Sequence, residues 1–413
     1  MVVSLDRPFG FPVRKDNASL FGCLTFGLFV SSILWTGLNP VDVAVPMFGL
    51  IETVLKWSYR VMLIPALLLQ SYTLRRLLPI LAVAAIFGLV SITSADPTCL
   101  LVFAVLVACR NIDPMTLIKV FLSVNATFLV LVFLFHFSSI TAPIYVQRGE
   151  DVYARTSLGL GHPNSLGSVF LSLGVAWIVF RYSDFKLMDL LPVIALLVMN
   201  DQICDSRTTS FVLLISMVSI VSMRASKRFF KRNIFPAIAV FSVLATTAIL
   251  ILVLVYDPHV SWMKSIDTLL SSRLYNCNLF IHKYKPLMLG RDVTNLPTAY
   301  IYEWNGEEIS FLVDNSVVRS LIAYGIPATF LMVAGVAMGL FGPKRTVMHE
   351  ALAFGLCMMV FAGAMESTLF SLDTNPYLIV IPSTVLMNRR SYQPKHMMRK
   401  ETLLRKGLFQ NGK

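Results

Sequence analysis

Residues 154–177, ARTSLGLGHPNSLGSVFLSLGVAW, pass from a charged, glycine-rich loop into a long apolar run. An arginine, a histidine and an asparagine thus stand at the mouth of what reads as a membrane-spanning helix. The composition around this stretch points the same way. Hydrophobic residues make up 56% of the 413, charged residues only 14%, and the mean hydropathy is +0.71. A chain of this kind cannot hide its apolar surface inside one water-soluble globule.

A spanning helix needs about 20 predominantly apolar residues, and hydropathy marks about twelve candidates. They lie near 19–38, 42–71, 77–94, 98–109, 115–137, 165–181, 187–200, 207–223, 234–256, 316–341, 347–365 and 372–388. Stretch 42–71 has room for two short segments and carries Lys56 and Arg60, while 98–109 is short enough to be tilted or re-entrant. The expected fold is all-α: a polytopic membrane domain over 1–388 followed by a basic tail, 389–413.

Charge provides an independent check. Arg7/Arg14/Lys15, Arg75/Arg76, Arg110, Arg181/Lys186, RASKRFFKR at 224–232, Lys344/Arg345 and the tail from Arg389 all fall on alternate connections. The positive-inside rule then places both termini in the cytoplasm. Most of the net charge of +12 lies where anionic lipids attract it, so it calls for no nucleic acid. The first apolar run lacks a small-residue cleavage site and reads as a retained helix. Six cysteines show neither metal-ligand nor disulfide spacing.

On the outer side this topology leaves 138–164, DQICDSR at 201–207 and a large loop, 257–315. A connection that long is usually functional or disordered, and its aromatic and apolar content argues for order. An amphipathic helix is expected from Val260 to Lys285, with Ile266, Leu269, Leu270, Leu274 and Phe280 on its apolar face, holding Arg273 in place.

Arg148, Arg155, Arg207, Arg273, Lys283, Lys285 and Arg291 run against the inside bias. Each has an ordinary explanation: Arg155 snorkels, Arg207 caps its turn, Arg273 pairs with Asp267. Together they point to a bound phosphate, whose oxygens match the guanidinium fork. His162 precedes Pro163, a residue suited to the first turn of a helix. Asn164 or Ser165 is the expected cap, and His162 the expected donor or base at a helix N terminus that also favours anions.

Five stretches, GLGHPNSLG (159–167), CDSRTTSFVLL (204–214), SSRLYNCNLFIHKYKPLMLG (271–290), VDNSVVRSLIAYGIP (313–327) and MESTLFSLDTNPYLIVI (365–381), occur in this order. Their order and sidedness resemble the Wzy-type polysaccharide polymerases of bacterial exopolysaccharide, capsule and O-antigen synthesis. The resemblance covers residues 150–388 and implies a GT-C-like bundle with a large extracytoplasmic loop in the bacterial cytoplasmic membrane. The implied reaction joins lipid-linked repeat units, with the polyprenyl diphosphate as leaving group.

What the family implies for individual residues follows from that reaction. Arg207 and Arg273 match its diphosphate-binding arginines, with Ser272 standing where a glycine is common, and Arg155 is a third candidate. Developing negative charge on the leaving group calls for such fixed cations. The proton of the attacking hydroxyl would pass to His162, ranked first, or to Asp314, Glu366 or His282. Glu366 sits at a helix end, where a charge is a functional candidate; pairing of Asp314 and Glu366 with Arg319 is the alternative. Asn164, Ser206, His282, Lys285, Asn315 and Arg155 complete the expected substrate contacts, with Asn315 and Asn375 as helix-end caps.

No Asp-x-Asp occurs in the outer loops, so neither a metal nor another cofactor is expected. The implied partners are polyprenyl-diphosphate-linked oligosaccharides, membrane lipids and a chain-length regulator. A ligase that moves finished glycan to another acceptor would share these features, and a flippase of lipid-linked sugars would share the helices and cations.

Overall fold

The computed structural model describes residues 15–146, 155–225, 228–292, 299–304, 307–342 and 346–385. Arg7, Arg14, Arg148, residues 226–227, Lys344, Arg345 and the tail 389–413 lie outside them.

The protein is an all-α polytopic membrane protein. Its helices, in chain order, are α1 (Lys15–Thr36), α2 (Val45–Leu68), α3 (Leu74–Thr93), α4 (Thr98–Cys109), α5 (Pro114–Phe137), α6 (Pro163–Arg181), α7 (Leu190–Met199) and α8 (Arg207–Ala225). There follow α9 (Arg228–Val255), α10 (Ser261–Leu269), α11 (Arg273–Lys283), α12 (Ser316–Ala323), α13 (Gly325–Phe341), α14 (Val347–Met365) and α15 (Val380–Val385). Two short antiparallel pairs, β1 (Tyr145–Val146) with β2 (Arg155–Thr156) and β3 (Ala299–Trp304) with β4 (Glu307–Leu312), lie in the connections. Helices prevail because a bilayer core offers no water to satisfy backbone N–H and C=O groups, which a helix satisfies internally.

Among the described residues eight helical stretches are long and apolar enough to cross a membrane. The stretch 42–71 forms a single helix, α2; Lys56 pairs with Glu52 one turn back, and Arg60 lies 5.6 Å from the centre of the Trp57 ring. Two expected helices are broken. Segment 316–341 splits at Tyr324 and Gly325, where Gly325 takes a φ of +80° that a side chain resists. The expected helix 260–285 splits into α10 and α11 at Ser271 and Ser272, with φ of +58° and +62°. The last expected span, 372–388, enters through a loop and a 3-10 turn, Pro376–Ile379, before α15.

Helices α6 and α14 form the centre: 72% and 83% of their spans are buried, against 17% for α3 and for the spans containing α7 and α9. Lipid gives helices no hydrophobic reason to associate, so close packing of small residues brings them together. Gly167 of α6 meets Ser206 and Thr209, and Gly355 of α14 meets the Tyr377 ring; a Cβ at either would fall 2.5 Å from the nearest atom.

Hydrogen bonds between connections define two ends. At one, Gln70 Nε2 donates to Ala108 O (2.8 Å), Arg181 pairs with Asp189 (3.0 Å) and Tyr182 donates to Glu350 (2.8 Å). Arg75, Arg76 and Arg110 belong to this basic end. At the other end, Asn39 N donates to Gly159 O (2.7 Å), Tyr324 to Asp96 (2.8 Å) and Arg273 to Glu366 (2.6 Å). Gly159 has a φ of +95° and packs against Thr141, leaving no room for a side chain. The long connection has a small core of its own, in which Leu274, Cys277, Phe280 and Val313 pack with Val253 of α9 and Val318 and Ile322 of α12.

Candidate active site

A cavity of about 740 Å³ opens at this second end. Its wall combines His162, Asn164, Asp314 and Glu366, four of the residues singled out from sequence, with Asp96, Arg319, Tyr324 and Asp373. Asn276, serines, threonines and a set of apolar side chains that includes Ile33, Leu34, Phe128 and Val169 complete it.

Arg273 lies behind the wall and ties it together. Its Nη2 donates to Glu366 Oε1 at 2.6 Å, its Nε stands 3.2 Å from Asp314 Oδ2, and its Nη1 donates to Thr208 Oγ1 at 2.8 Å. Asp267 is not its partner. That carboxylate accepts the Leu274 and Tyr275 backbone N–H groups at 2.8 and 3.2 Å, holding the first turn of α11, and the Tyr256 hydroxyl at 3.2 Å. Arg319 donates to Ser367 Oγ at 3.1 Å and acts on Asp314 through its charge, not through a direct ion pair. Burial works against the Arg273 charge, but Glu366 and Asp314 outweigh it and hold its pKa above the ordinary value.

Asp314 responds in the opposite way. Burial and the neighbouring Glu366 raise its carboxyl from 3.8 to about 7, although Arg273 and Arg319 oppose the shift. A carboxylate in this range can take a proton near neutral pH.

Arg155 is buried and holds a turn. Its Nε donates to Cys204 O (2.8 Å) and its Nη2 to Asn164 Oδ1 (2.6 Å), fastening the π-helical turn Asn200–Cys204 to the start of α6. Burial lowers its pKa and the nearby Asp205 counters this. The side chain that caps α6 belongs to His162, and not to Asn164 or Ser165: its Nδ1 accepts the Asn164 backbone N–H at 3.0 Å. With Nδ1 so engaged, the neutral ring carries its proton on Nε2. Burial, together with the charges of Arg155 and Arg273, lowers its pKa from 6.5 to about 4. In this neutral state His162 presents its Nε2–H to the cavity wall while Nδ1 is occupied by the Asn164 N–H.

The other expected residues divide clearly. Asn315 caps α12 by accepting the Val317 and Val318 N–H groups at 3.0 Å, and donates to Ala364 O at 2.9 Å. Asn375 donates to Leu369 O at 2.6 Å without capping the following turn through its side chain. Ser206 is buried between α6 and α8. Arg207, His282 and Lys285 are exposed and do not line the cavity. Among the described residues the expected gathering of arginines thus reduces to Arg155 and Arg273, both bonded to protein groups, with Arg319 as the guanidinium in the wall.

Sequence reading missed Asp96, Asp373 and the place of Arg319. Asp96 stands before a proline between two apolar runs on the expected outer side, which was the available signal. It accepts from Tyr324 Oη and from Thr98 N (2.9 Å). Asp373 accepts from Ser371 Oγ, and burial raises its pKa.

Among the described residues no group of three or more His, Cys, Asp and Glu is placed to hold a metal ion. Compared with known proteins, the chain matches no family model, no curated protein and no solved structure. The polymerase resemblance therefore rests on the five motifs alone.

Proposed function

We propose that this protein is a membrane glycosyltransferase that polymerises polyprenyl-diphosphate-linked oligosaccharides on the outer face of a bacterial cytoplasmic membrane. The reading takes the bundle as twelve spans, α1–α9 and α13–α15, with both termini cytoplasmic and the basic end inward. The observation that carries it is the Arg273-bridged pair of carboxylates, Asp314 and Glu366, set in a cavity of mixed polar and apolar lining at the opposite end. The carboxylates, hydroxyls and two amides in its wall suit a saccharide, whose hydroxyl groups both donate and accept, and the apolar side chains suit the faces of its rings.

In the reaction an acceptor hydroxyl attacks the anomeric carbon of the growing glycan. The bond from that carbon to the diphosphate oxygen breaks, and the diphosphate leaves with the electron pair. Asp314 receives the hydroxyl proton. Glu366 and Arg273 hold Asp314 in place, while Arg319 and the Nε2–H of His162 face the negative charge that develops on the leaving group. Arg273 occupies the position between two carboxylates that a cation would take, and we infer transfer without a divalent metal.

The test is the glycan profile of cells carrying Arg273→Ala in place of the wild-type protein. Single repeat units on the surface, with the variant still in the membrane, support the proposal. Lipid-linked units accumulating on the cytoplasmic face would favour a flippase, and polymer of wild-type length would remove Arg273 from the reaction.

A further inference from the structure

A second cavity of about 640 Å³ runs between α3, α4, α13 and α15 and adjoins the first at Cys99, Met332 and Phe370. Most of its surface is apolar, with Ile80, Val83, Leu106 and Met338 among the side chains that line it. One end carries Arg75 and Arg76, in the first turn of α3. From there to Phe87 the helix rises about 18 Å at 1.5 Å per residue, slightly more than the ~15 Å depth of one leaflet's hydrocarbon.

A third arginine lies near this end without lining the groove. Arg110 is buried beside the segment that leads into α3: its Nη2 donates to Ser71 O and its guanidinium lies 4.1 Å from the centre of the Tyr72 ring. Its Nη1 is buried without a hydrogen-bond partner among the described residues. Burial and the Arg76 charge both press its pKa downward. Positive charge is thus concentrated near the end of the groove that Arg75 and Arg76 line.

We propose that this groove is a binding site for an anionic phospholipid, with the phosphate on Arg75 and Arg76 and an acyl chain along α3 toward Phe87. The apolar wall matches the chain, and the arginines match a headgroup at the basic end of the bundle. The tail of a lipid headed in the first cavity would enter from the opposite end, past Cys99, Met332 and Phe370, which both cavities share. Such a tail would bring no anion to Arg75 and Arg76. The proposal is independent of the glycosyl-transfer reading.

Native mass spectrometry of the full-length protein, titrated with phosphatidylglycerol or with phosphatidylcholine of identical chains, tests it. Two arginines at a headgroup predict a preference of about thirtyfold for the anionic lipid. Arg75→Gln/Arg76→Gln should bring phosphatidylglycerol down to the phosphatidylcholine level, while Ala334→Phe, which fills the groove, should weaken both. Val83→Phe replaces the second variant if that one fails to fold. Retention of the anionic preference in the double-glutamine variant would overturn the proposal, as would unchanged binding in the filled groove. Displacement of phosphatidylglycerol by a polyprenyl phosphate equally well from wild type and the double-glutamine variant would give the groove to an isoprenoid tail and also overturn it.

Discussion

Arg273 Nη2 donates to Glu366 Oε1 across 2.6 Å, joining residues 93 positions apart in sequence. With Asp314 on its Nε side, the guanidinium is held between two carboxylates that face the first cavity. Removing it leaves the buried Glu366 and its neighbour Asp314 without the cation that pairs them, and only Arg319 acts on Asp314 from a distance. Arg273→Ala should therefore abolish polymer formation and lower stability by roughly 3 kcal/mol, since breaking a buried pair costs about 3–5 kcal/mol before allowance for partial exposure. Denaturant unfolding in detergent measures the second effect. Arg273→Lys should not rescue activity, because one ammonium cannot span Asp314, Glu366 and Thr208 in the planar arrangement of the guanidinium.

The raised Asp314 carboxyl sets a pH dependence. Its folded pKa of about 7 lies above the ordinary 3.8, so between these values the folded state binds more protons than the unfolded state. Its contribution to stability is thus fully present below pH 3.8 and is lost as pH rises through 7. Activity has the opposite slope, because only the deprotonated group accepts a proton. The rate kcat/KM should rise through about pH 7, and the little activity left in Asp314→Asn should lack that limb.

His162 gives a stability slope of the other sign. Its pKa falls from 6.5 unfolded to about 4 folded, so its contribution is present above pH 6.5 and is lost as pH falls through 4. His162→Asn keeps an acceptor for the Asn164 N–H but removes the Nε2 donor. This variant should fold normally, lose most activity and no longer show the slope between pH 4 and 6.5. His162→Ala should in addition lose about 1 kcal/mol with the cap.

Ser272 occupies a backbone position that favours glycine, with a φ of +62°. Left-handed backbone costs a side-chain-bearing residue about 1 kcal/mol, part of which a glycine returns through its freer unfolded chain. Ser272→Gly should raise the thermal midpoint slightly and leave the position of Arg273 and the activity unchanged.

Much of this fold was legible because apolar runs and alternating basic connections are one-dimensional signals. Those signals gave the membrane class, the two ends and the connections that build the site. The breaks were less visible. Ser271 and Ser272 carry no glycine or proline to announce a turn, so a continuous amphipathic helix was the natural expectation. Pairing was the least legible feature: Arg273 chooses Glu366 over the nearby Asp267 because Asp267 is already occupied by the backbone N–H groups of α11. Arg207 and Arg155 looked equivalent as outer cations, yet one is exposed at the start of α8 and the other is buried against Cys204 and Asn164.

That difference yields a contrast. Arg207 does not line the cavity, whereas Arg319 does. In the same elongation assay Arg207→Ala should keep activity within about threefold of wild type, and Arg319→Ala should lose a hundredfold or more, as removal of one stabilising donor commonly does.

The most direct measurement uses purified protein in liposomes with a defined polyprenyl-diphosphate oligosaccharide, reading product length by electrophoresis. Wild type should yield a ladder of joined repeats, in the presence of a chelator as well, and Asp314→Asn should yield unjoined units while still binding the lipid-linked substrate. A ladder from Asp314→Asn equal to that of wild type would contradict the account, as would a wild-type protein that carries the unit across the bilayer without joining it.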